Sequence, residues 1–521
     1  MTNPQGALRK RMLHSLRISL AIALILLPLC VGLLTSRPAT SPPPSSIRDP
    51  ASSFQVRDAN PRLATQDVVF WHFWGGADGE IVQSVIDGFN QSQSRYRVRG
   101  IAMPGNNLDL KLFLSVTGGS PPDLINQDDP ILGDWVSRGA LTPIDEIIGE
   151  GETRLLADAM FPTARRLGMV DGRMFAVCNG VDIRAIYYNR RLFEEQNLST
   201  PQTLPQLDDA AQRLTLRDAN GRLQRVGFLP DSRRLWAWGA VFGSDFLQDD
   251  QTRAIATGAM GTDDKTTSRP ARVTVDEPST IAAARWMATY ADRYGPRTIA
   301  AFRSGDQSLP GKSFPLLANR YAMILDGQWR VRDIANAENP DEYGVMPLPP
   351  PPGGRRRAGW LNGNYFIIPR GAAAADGSIA FIKYWIGYTG ELSEATEDVE
   401  EPDELSPRVA AAADTAVRGG WIPVLPAVAN HAVYQRYLDQ QPLMRQFIDL
   451  AASESQIPYP NQPGTAKLRR EIELTGARIM MREVDPETAL QQLSEVIHPN
   501  GPTLSAGISA NEKRQRPAGN H

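Results

Sequence analysis

Ten tryptophans stand in this chain of 521 residues. Seven of them (Trp71, Trp74, Trp236, Trp238, Trp329, Trp360 and Trp421) fall at the ends of predicted strands or in loops flanked by Gly or Pro. Trp286 and Trp385 sit mid-helix in the pattern, where core tryptophans more often lie. An indole in a loop offers a flat apolar surface. A pyranose has a C–H face that fits it and a hydroxyl rim that needs carboxylate or amide partners. Such partners stand at matching places. Asp128 and Asp129 follow a strand predicted at 122–125, Asp182 precedes one at 185–188, Asp326 ends one at 321–325, and Asn362 and Asn364 flank Gly363. The competing role for each tryptophan is packing within the fold, most of all for Trp71 and Trp238. For each aspartate it is a turn or helix cap, and for Asn362-Gly363-Asn364 a turn. His72, inside an apolar run, reads as structural.

Other chemistries are poorly served. The five histidines (His14, His72, His431, His498, His521) are scattered and there are two cysteines, so neither HExxH nor a CxxC pair exists to hold zinc. No metal site or cofactor is expected. Gly311-Lys312-Ser313 resembles the end of a phosphate-binding loop, but Gly305 stands one residue too far back and Phe314-Pro315 cannot continue as the required helix. The adjacent acids Glu194-Glu195 and Asp128-Asp129 do not by themselves place two carboxyl groups across a glycosidic bond. Lys plus Arg is 55 and Asp plus Glu 58, a net charge of −3 that gives no electrostatic footprint for nucleic acid. Arg355-Arg356-Arg357, after four prolines, reads as a solvated loop.

At 42% apolar and 22% charged residues the chain is globular in composition, and its length allows two to four domains. Arg9, Lys10, Arg11 and Arg17 precede an uncharged apolar stretch at 18–36, the pattern of an export signal long enough to remain as a membrane anchor. Positive charge ahead of it keeps that end in the cytoplasm. Leu27-Pro28-Leu29 before Cys30 is a poor lipidation signal, and no clear cleavage site stands near Ala39. Residues 1–40 hold five basic and no acidic residues, which takes the remainder from −3 to −8. Cys178 is then alone, without an intrachain partner.

The elements that must position these residues alternate. A Pro- and Ser-rich tether at 41–65 leads to an apolar strand at 68–74, a helix through Ile81, Val85, Ile86 and Phe89, and a strand at 96–101: a βαβ unit. A helix at 108–116 and the strand at 122–125 follow. Further strands are predicted at 175–177, 185–188, 226–229, 321–325, 343–346 and 365–368, and helices at 207–214, 281–290, 379–386 and 489–497, the last with Asp485 as N-cap and Pro486 at its first position. The stretches 248–270 and 391–407 are polar and read as surface insertions. The fold class is α/β: open sheets with helices on both faces, which bind ligands at the carboxyl ends of their strands.

The run 171–177 (Asp-Gly-Arg-Met-Phe-Ala-Val), followed by 185–193 (Ala-Ile-Tyr-Tyr-Asn-Arg-Arg-Leu-Phe) and by Pro201-Gln202-Thr203, resembles extracellular solute-binding protein family 1, which serves carbohydrate ABC importers. Pro122-Asp123-Leu124-Ile125, the run 139–145, the run 321–329 ending in Asp326-Gly327-Gln328-Trp329, and 420–424 add to the likeness, in the right order over 66–500. Cys178 where the family has Pro, and Leu204-Pro205 where it has Trp-Asp, are departures. The resemblance implies a two-lobed periplasmic-binding-protein-like fold with an interlobe ligand cleft. Lobe one would be 66–165 plus 320–390, lobe two 166–319 plus 391–500, with a signal sequence or anchor at 1–40 and a disordered tail at 501–521. It makes Trp74, Trp236 and Trp329 the leading stacking plates; Trp238, Trp360, Trp421, Asp128, Asp129, Asp182, Asp326 and Asn362 complete the candidate set from the reading of the residues.

The activity it implies is capture of a mono- or oligosaccharide by hinge closure and delivery to an ABC permease. The protein would be a non-catalytic monomer in the periplasm or on the outer face of the cytoplasmic membrane. An extracytoplasmic glycoside hydrolase and a membrane-tethered solute sensor or scaffold are the rival readings, and within the receptor reading a polyamine or glycerol phosphate is an alternative ligand.

Overall fold

The computed structural model describes residues 65–103, 108–128, 131–248, 272–303, 314–390 and 407–498. The chain divides at 62/63, and all of these belong to the second part. The segments 1–40 and 501–521, Asp129, Gly311-Lys312-Ser313, and nearly all of 41–65, 248–270 and 391–407 lie outside the described residues.

The opening βαβ unit forms as its pattern predicts. Strand β1 (Gln66–His72) buries alternate residues Val68, Phe70 and His72, and helix α1 (Gly76–Ser92) buries Val82, Val85, Ile86 and Phe89 at helical spacing. Strand β2 (Tyr96–Ala102) lies parallel to β1 on one side. After α2 (Leu108–Thr117), β3 (Leu124–Asp128) lies parallel to it on the other. Just ahead of β3, the buried Asp123 accepts hydrogen bonds from Val69 N and Ala374 N, both 2.8 Å, and so fixes register between strand and helix.

Helix α3 (Leu132–Ser137) precedes the central strand β4 (Ala176–Asn189), where sequence and structure differ. The apolar pattern breaks at Asn179, Gly180 and Asp182 and predicts two short strands, but β4 runs unbroken for 14 residues. Helices α4 (Leu235–Phe242) and α5 (Pro278–Tyr294), strand β5 (Met323–Gly327), helix α6 (Arg330–Ala335), and strands β6 (Tyr343–Met346) and β7 (Gly359–Ile367) come next. β7 pairs antiparallel with the first part of β4, while β5 and β6 pair antiparallel with its last part, so backbone partners sustain the strand where its side chains turn polar. The sheet order is β5-β4-β7-β3-β1-β2. The strand expected at 226–229 is reduced to a parallel bridge between Val226 and Tyr321.

The chain then runs through α7 (Ala375–Ile386), α8 (Pro407–Gly419) and α9 (Pro442–Ala451) to the short strand β8 (Gln456–Ile457), which lies parallel to the start of β7, and ends in α10 (Thr465–Met480) and α11 (Pro486–Ile497). Asp485 caps α11 as expected, accepting from Glu487 N at 3.1 Å and Thr488 N at 3.0 Å. Asp134 of α3 caps α10 from outside, accepting from Gly464 N at 2.8 Å and Ala466 N at 2.9 Å. Gly133 is pressed so close to the backbone of Gln462 that a Cβ there would lie 2.4 Å from it.

Two hydrophobic clusters result. Val68, Phe70, Leu124, Val177, Ile183, Phe366, Phe381 and Trp385 belong to the first, with Val409 to Phe447 of the C-terminal helices. Ile186, Phe228, Trp236, Trp238, Tyr290, Met323, Met346, Trp360, Ile472 and Leu490 belong to the second. β7 passes from the second cluster at Trp360 into the first at Leu361, while the last part of β4 lies between the two, with Ile183, Ala185 and Tyr187 in the first and Ile186 in the second. The clusters divide the chain differently from the boundaries expected above: Met323, Met346 and Trp360 join the second, whereas α8 and α9 join the first.

Candidate functional site

Where β4 and β7 pass between clusters, polar and aromatic side chains gather. Arg184 stands opposite Gly327 in the β4–β5 pairing, and its guanidinium carbon lies 4.9 Å from the ring centroids of both Trp329 and Trp360. Arg234 approaches the Trp360 ring at 5.3 Å. A cation held on an indole face is worth about 0.5–2 kcal/mol, more as water is excluded. Arg184 also donates to Asp326 at 3.2 Å, and Arg330 donates to the other Asp326 oxygen at 2.8 Å and to Asp333 at 2.8 Å. Burial works against the charge on Arg330, but Asp326 and Asp333 outweigh it and its pKa sits above the usual arginine value. Trp329 folds back over Gly327, where a Cβ would come within 2.2 Å of the indole, so this turn requires glycine.

Beside this group, Gln328 donates to Asp182 at 2.6 Å and accepts from Ile183 N at 3.0 Å. Asn362 stands opposite Asp182 in the β4–β7 pairing and accepts from Tyr365 Oη at 3.4 Å. Arg184, Asp182, Asp326, Trp329, Trp360 and Asn362 are thus brought together, with Trp329 and Asp326 half-buried and the others mostly enclosed.

A second group lies at the carboxyl ends of β1 and β3. Trp74 stacks on Trp385 with ring centroids 5.9 Å apart and planes 16° apart, and Trp385 stacks on Trp421 at 5.8 Å and 26°. The β4–β7 register shifts between Asn364 and Tyr365, which pair with Gly180 and Cys178, so Asn179 is the unpaired residue of a bulge. Its carboxamide oxygen accepts from Asn126 Nδ2 at 3.3 Å, and the Asn179 side chain lines a small gap with Trp385 and Trp421. His72, in register with Asn126 on the neighbouring strand, is buried, and burial lowers its pKa. Cys178 is fully buried against Gly363, and burial, with the nearby Asp182, pushes its thiol pKa well up.

Other candidates lie elsewhere. Trp236 and Trp238, expected in a loop, sit on the buried helix α4. Trp236 lies flat on Phe246 at 3.8 Å and donates to Ile457 O; Trp238 packs on Trp286 at 4.4 Å. Both belong to the second cluster. Trp71 is half-buried against the first cluster. Asp128 ends β3 opposite Asn364. In the arginine run, Arg355 donates to the carbonyls of Gly243 and Ser244 and pairs with Asp245, and Arg357 donates to Asp449 O.

Sequence reasoning missed Arg184, Gln328, Asn126, Asn179 and Trp385. Asn179-Gly180 inside an otherwise apolar stretch is the signal that could have found the bulge. Trp385, read as a core residue from its helical setting, is the last residue but one of α7 and reaches the Trp74 face.

Comparison with known proteins places this arrangement. The sn-glycerol-3-phosphate-binding periplasmic protein UgpB of Rhizobium meliloti (strain 1021) is 26% identical over 29% of this chain and 36% of its own length. The maltotriose-binding protein of Pyrococcus abyssi (strain GE5 / Orsay) is 24% identical over 54% of this chain and 53% of its own. The chain therefore matches about a third to a half of the length of these curated relatives. Among solved structures, CpMnBP1 with mannotriose bound superposes with a TM-score of 0.66 at 21% identity, covering 83% of this chain and 100% of that one, a likeness of fold: two α/β lobes. The profile of bacterial extracellular solute-binding proteins matches residues 84–393, more than half of the sequence, and the chain belongs to that family.

Proposed function

We propose that this protein captures a mono- or oligosaccharide outside the cytoplasm by closing two lobes upon it, and delivers it to an ABC permease without chemistry of its own. The observation that carries the reading is the gathering of Asp182, Arg184, Trp360 and Asn362 on the two strands that pass between the hydrophobic clusters, met by Asp326, Gln328 and Trp329 from the end of β5. Side chains at such a crossing touch a solute from both sides only when the lobes are together. Differential contact of that kind is what lets a ligand shift a hinge equilibrium. The lobes divide along the two clusters, between which the chain crosses repeatedly, at β7, between α9 and α10, and within 314–346 among other places.

A saccharide suits the inventory: indole surface for a C–H face, with carboxylates, amides and a planar guanidinium to meet hydroxyls. Relatives named for maltotriose and a structure with mannotriose bound support it. Trp74 and Trp421 stack with Trp385 in the first cluster, where Trp421 packs beside β4 at Gly180. The basic and apolar N-terminal segment fits export with cleavage or retention as an anchor, and so a periplasmic or membrane-tethered monomer.

The test is a thermal-shift panel of mono- and oligosaccharides with small-angle scattering of the hit. The proposal expects a raised melting temperature and a smaller radius of gyration with solute. A broad panel without any shift would end the saccharide reading.

A further inference from the structure

We infer that the Asn126–Asn179 carboxamide pair is a subsite for a single neutral hydroxyl of the bound solute; this rests on the proposed function and adds to it a choice of solute chemistry. Asn126 is fully buried and Asn179 is 6% exposed, and they share one hydrogen bond of 3.3 Å. Beyond that bond, Asn126 Oδ1 and Asn179 Nδ2 are buried and have no partner among the described residues. The balance is the same if both amides are turned together, and turning only one would lose the bond: their mutual bond uses one donor and one acceptor, and one of each is left over.

A group able to satisfy both at once must donate and accept. A hydroxyl does so. A carboxylate or phosphate oxygen leaves the acceptor bare, and an ammonium leaves the donor bare. Buried polar groups of this kind are nearly always satisfied, so the leftover pair implies an occupant.

The bulge explains how the pair arises. Asn179 has no partner on β7, because Gly180 and Cys178 pair with the consecutive residues Asn364 and Tyr365. An added residue in a strand re-aims its side chain, here toward the gap of about 10 Å³ that it lines with Trp385 and Trp421. That space admits about one oxygen-sized group. Trp385 Nε1, also buried and without a partner among the described residues, lies in the same aromatic group. Gly180 packs its backbone on Trp421, so a side chain there would move the floor of the subsite.

The experiment uses the full chain and three probes, maltotriose, mannotriose and sn-glycerol 3-phosphate, titrated by calorimetry against the native protein and the variants Asn179→Leu and Asn126→Leu, with Asn179→Ser as the milder replacement should either fail to fold. The neutral saccharide that binds should bind about tenfold to a hundredfold more weakly to each variant, and each replacement should also lower the melting temperature somewhat, since it strands the partner amide that the mutual bond had satisfied. A crystal structure of the complex should place a solute oxygen between the two amides. Saccharide affinity within twofold of native in all variants overturns the subsite while leaving the saccharide reading intact. A water between the amides in the complex, with no solute oxygen there, overturns it too. If only sn-glycerol 3-phosphate binds, the saccharide reading fails; the same loss in the variants then keeps the subsite, through a glycerol hydroxyl, and an unchanged affinity removes it. Binding of none of the three removes both.

Discussion

Asp78 and Arg332 form an ion pair of 3.0 Å that joins the first turn of α1 to α6. Asp78 follows Trp74 by four residues and Arg332 follows Trp329 by three, so the pair spans the loops that carry two of the aromatic candidates. Both side chains are 40% exposed, which holds the pair to about 1 kcal/mol or less. The two helices bury their apolar residues in the first cluster, so the pair braces that cluster beside the aromatic loops. Asp78→Asn or Arg332→Gln should weaken solute binding by at most about fivefold, the double variant should be no worse than either single one, and ~0.5 M salt should erase the difference. Calorimetry at two ionic strengths checks this; a loss of a hundredfold would mean that one of the two contacts the solute directly.

The tryptophans should separate into two behaviours. Trp236 is 1% exposed and lies flat on Phe246, so Trp236→Ala should cost about 3–5 kcal/mol of stability. Trp329 is half-buried and faces Arg184, so Trp329→Ala should lower solute affinity at least tenfold with a smaller loss of stability. Denaturant melts beside titrations settle it, and the reverse ranking would remove Trp329 from the site.

His72 gives the fold an acid-sensitive point. Its folded pKa is depressed below the ordinary 6.5 by burial, so the unfolded chain takes up the proton first and stability falls as pH drops through 6.5 toward the lower folded value. Above 6.5 both states are neutral there and the contribution is flat. Melting temperature followed from pH 7.5 to about 5 should decline, and His72→Gln should decline less steeply. Parallel curves would locate the acid sensitivity elsewhere.

Cys178 is fully buried, with its thiol pKa well up, so the thiolate that alkylating reagents need is scarce and out of reach. Iodoacetamide at pH 8 should leave it unmodified in the native protein and label it once denaturant is added. Quick labelling of native protein would mean that β4 opens at this point.

Much of the framework was legible in the residues, and the reasons differ by element. α1 and β2 declare themselves through clean periods, because each has one face on a core and one toward water, and β1 through an apolar run. β4 did not, since its polar stretch at Asn179–Asp182 is held by backbone partners on β7, and period alone reads that stretch as a break. Trp329 and Asp182 could be picked out from a turn glycine and a strand start. Arg184 could not: its role depends on two rings brought to it by β5 and β7, far away in sequence. Trp236 misled because four short residues of context cannot distinguish a loop from a buried apolar helix.

The strand that serves both halves has a consequence for modularity. Because β4 and β7 supply residues to each cluster, and the chain crosses again before Asp134 grips the start of α10, neither half is a contiguous piece of gene. A recombination with one breakpoint would leave both halves composed of mismatched parentage, and a truncation would strip strands from each. Exchanging a half intact with a relative takes several junctions, because Phe314, Val331, Ile334 and Val345 of the first cluster interleave with Met323 and Met346 of the second, so new specificities in this architecture are more accessible through point changes at the crossing than by shuffling.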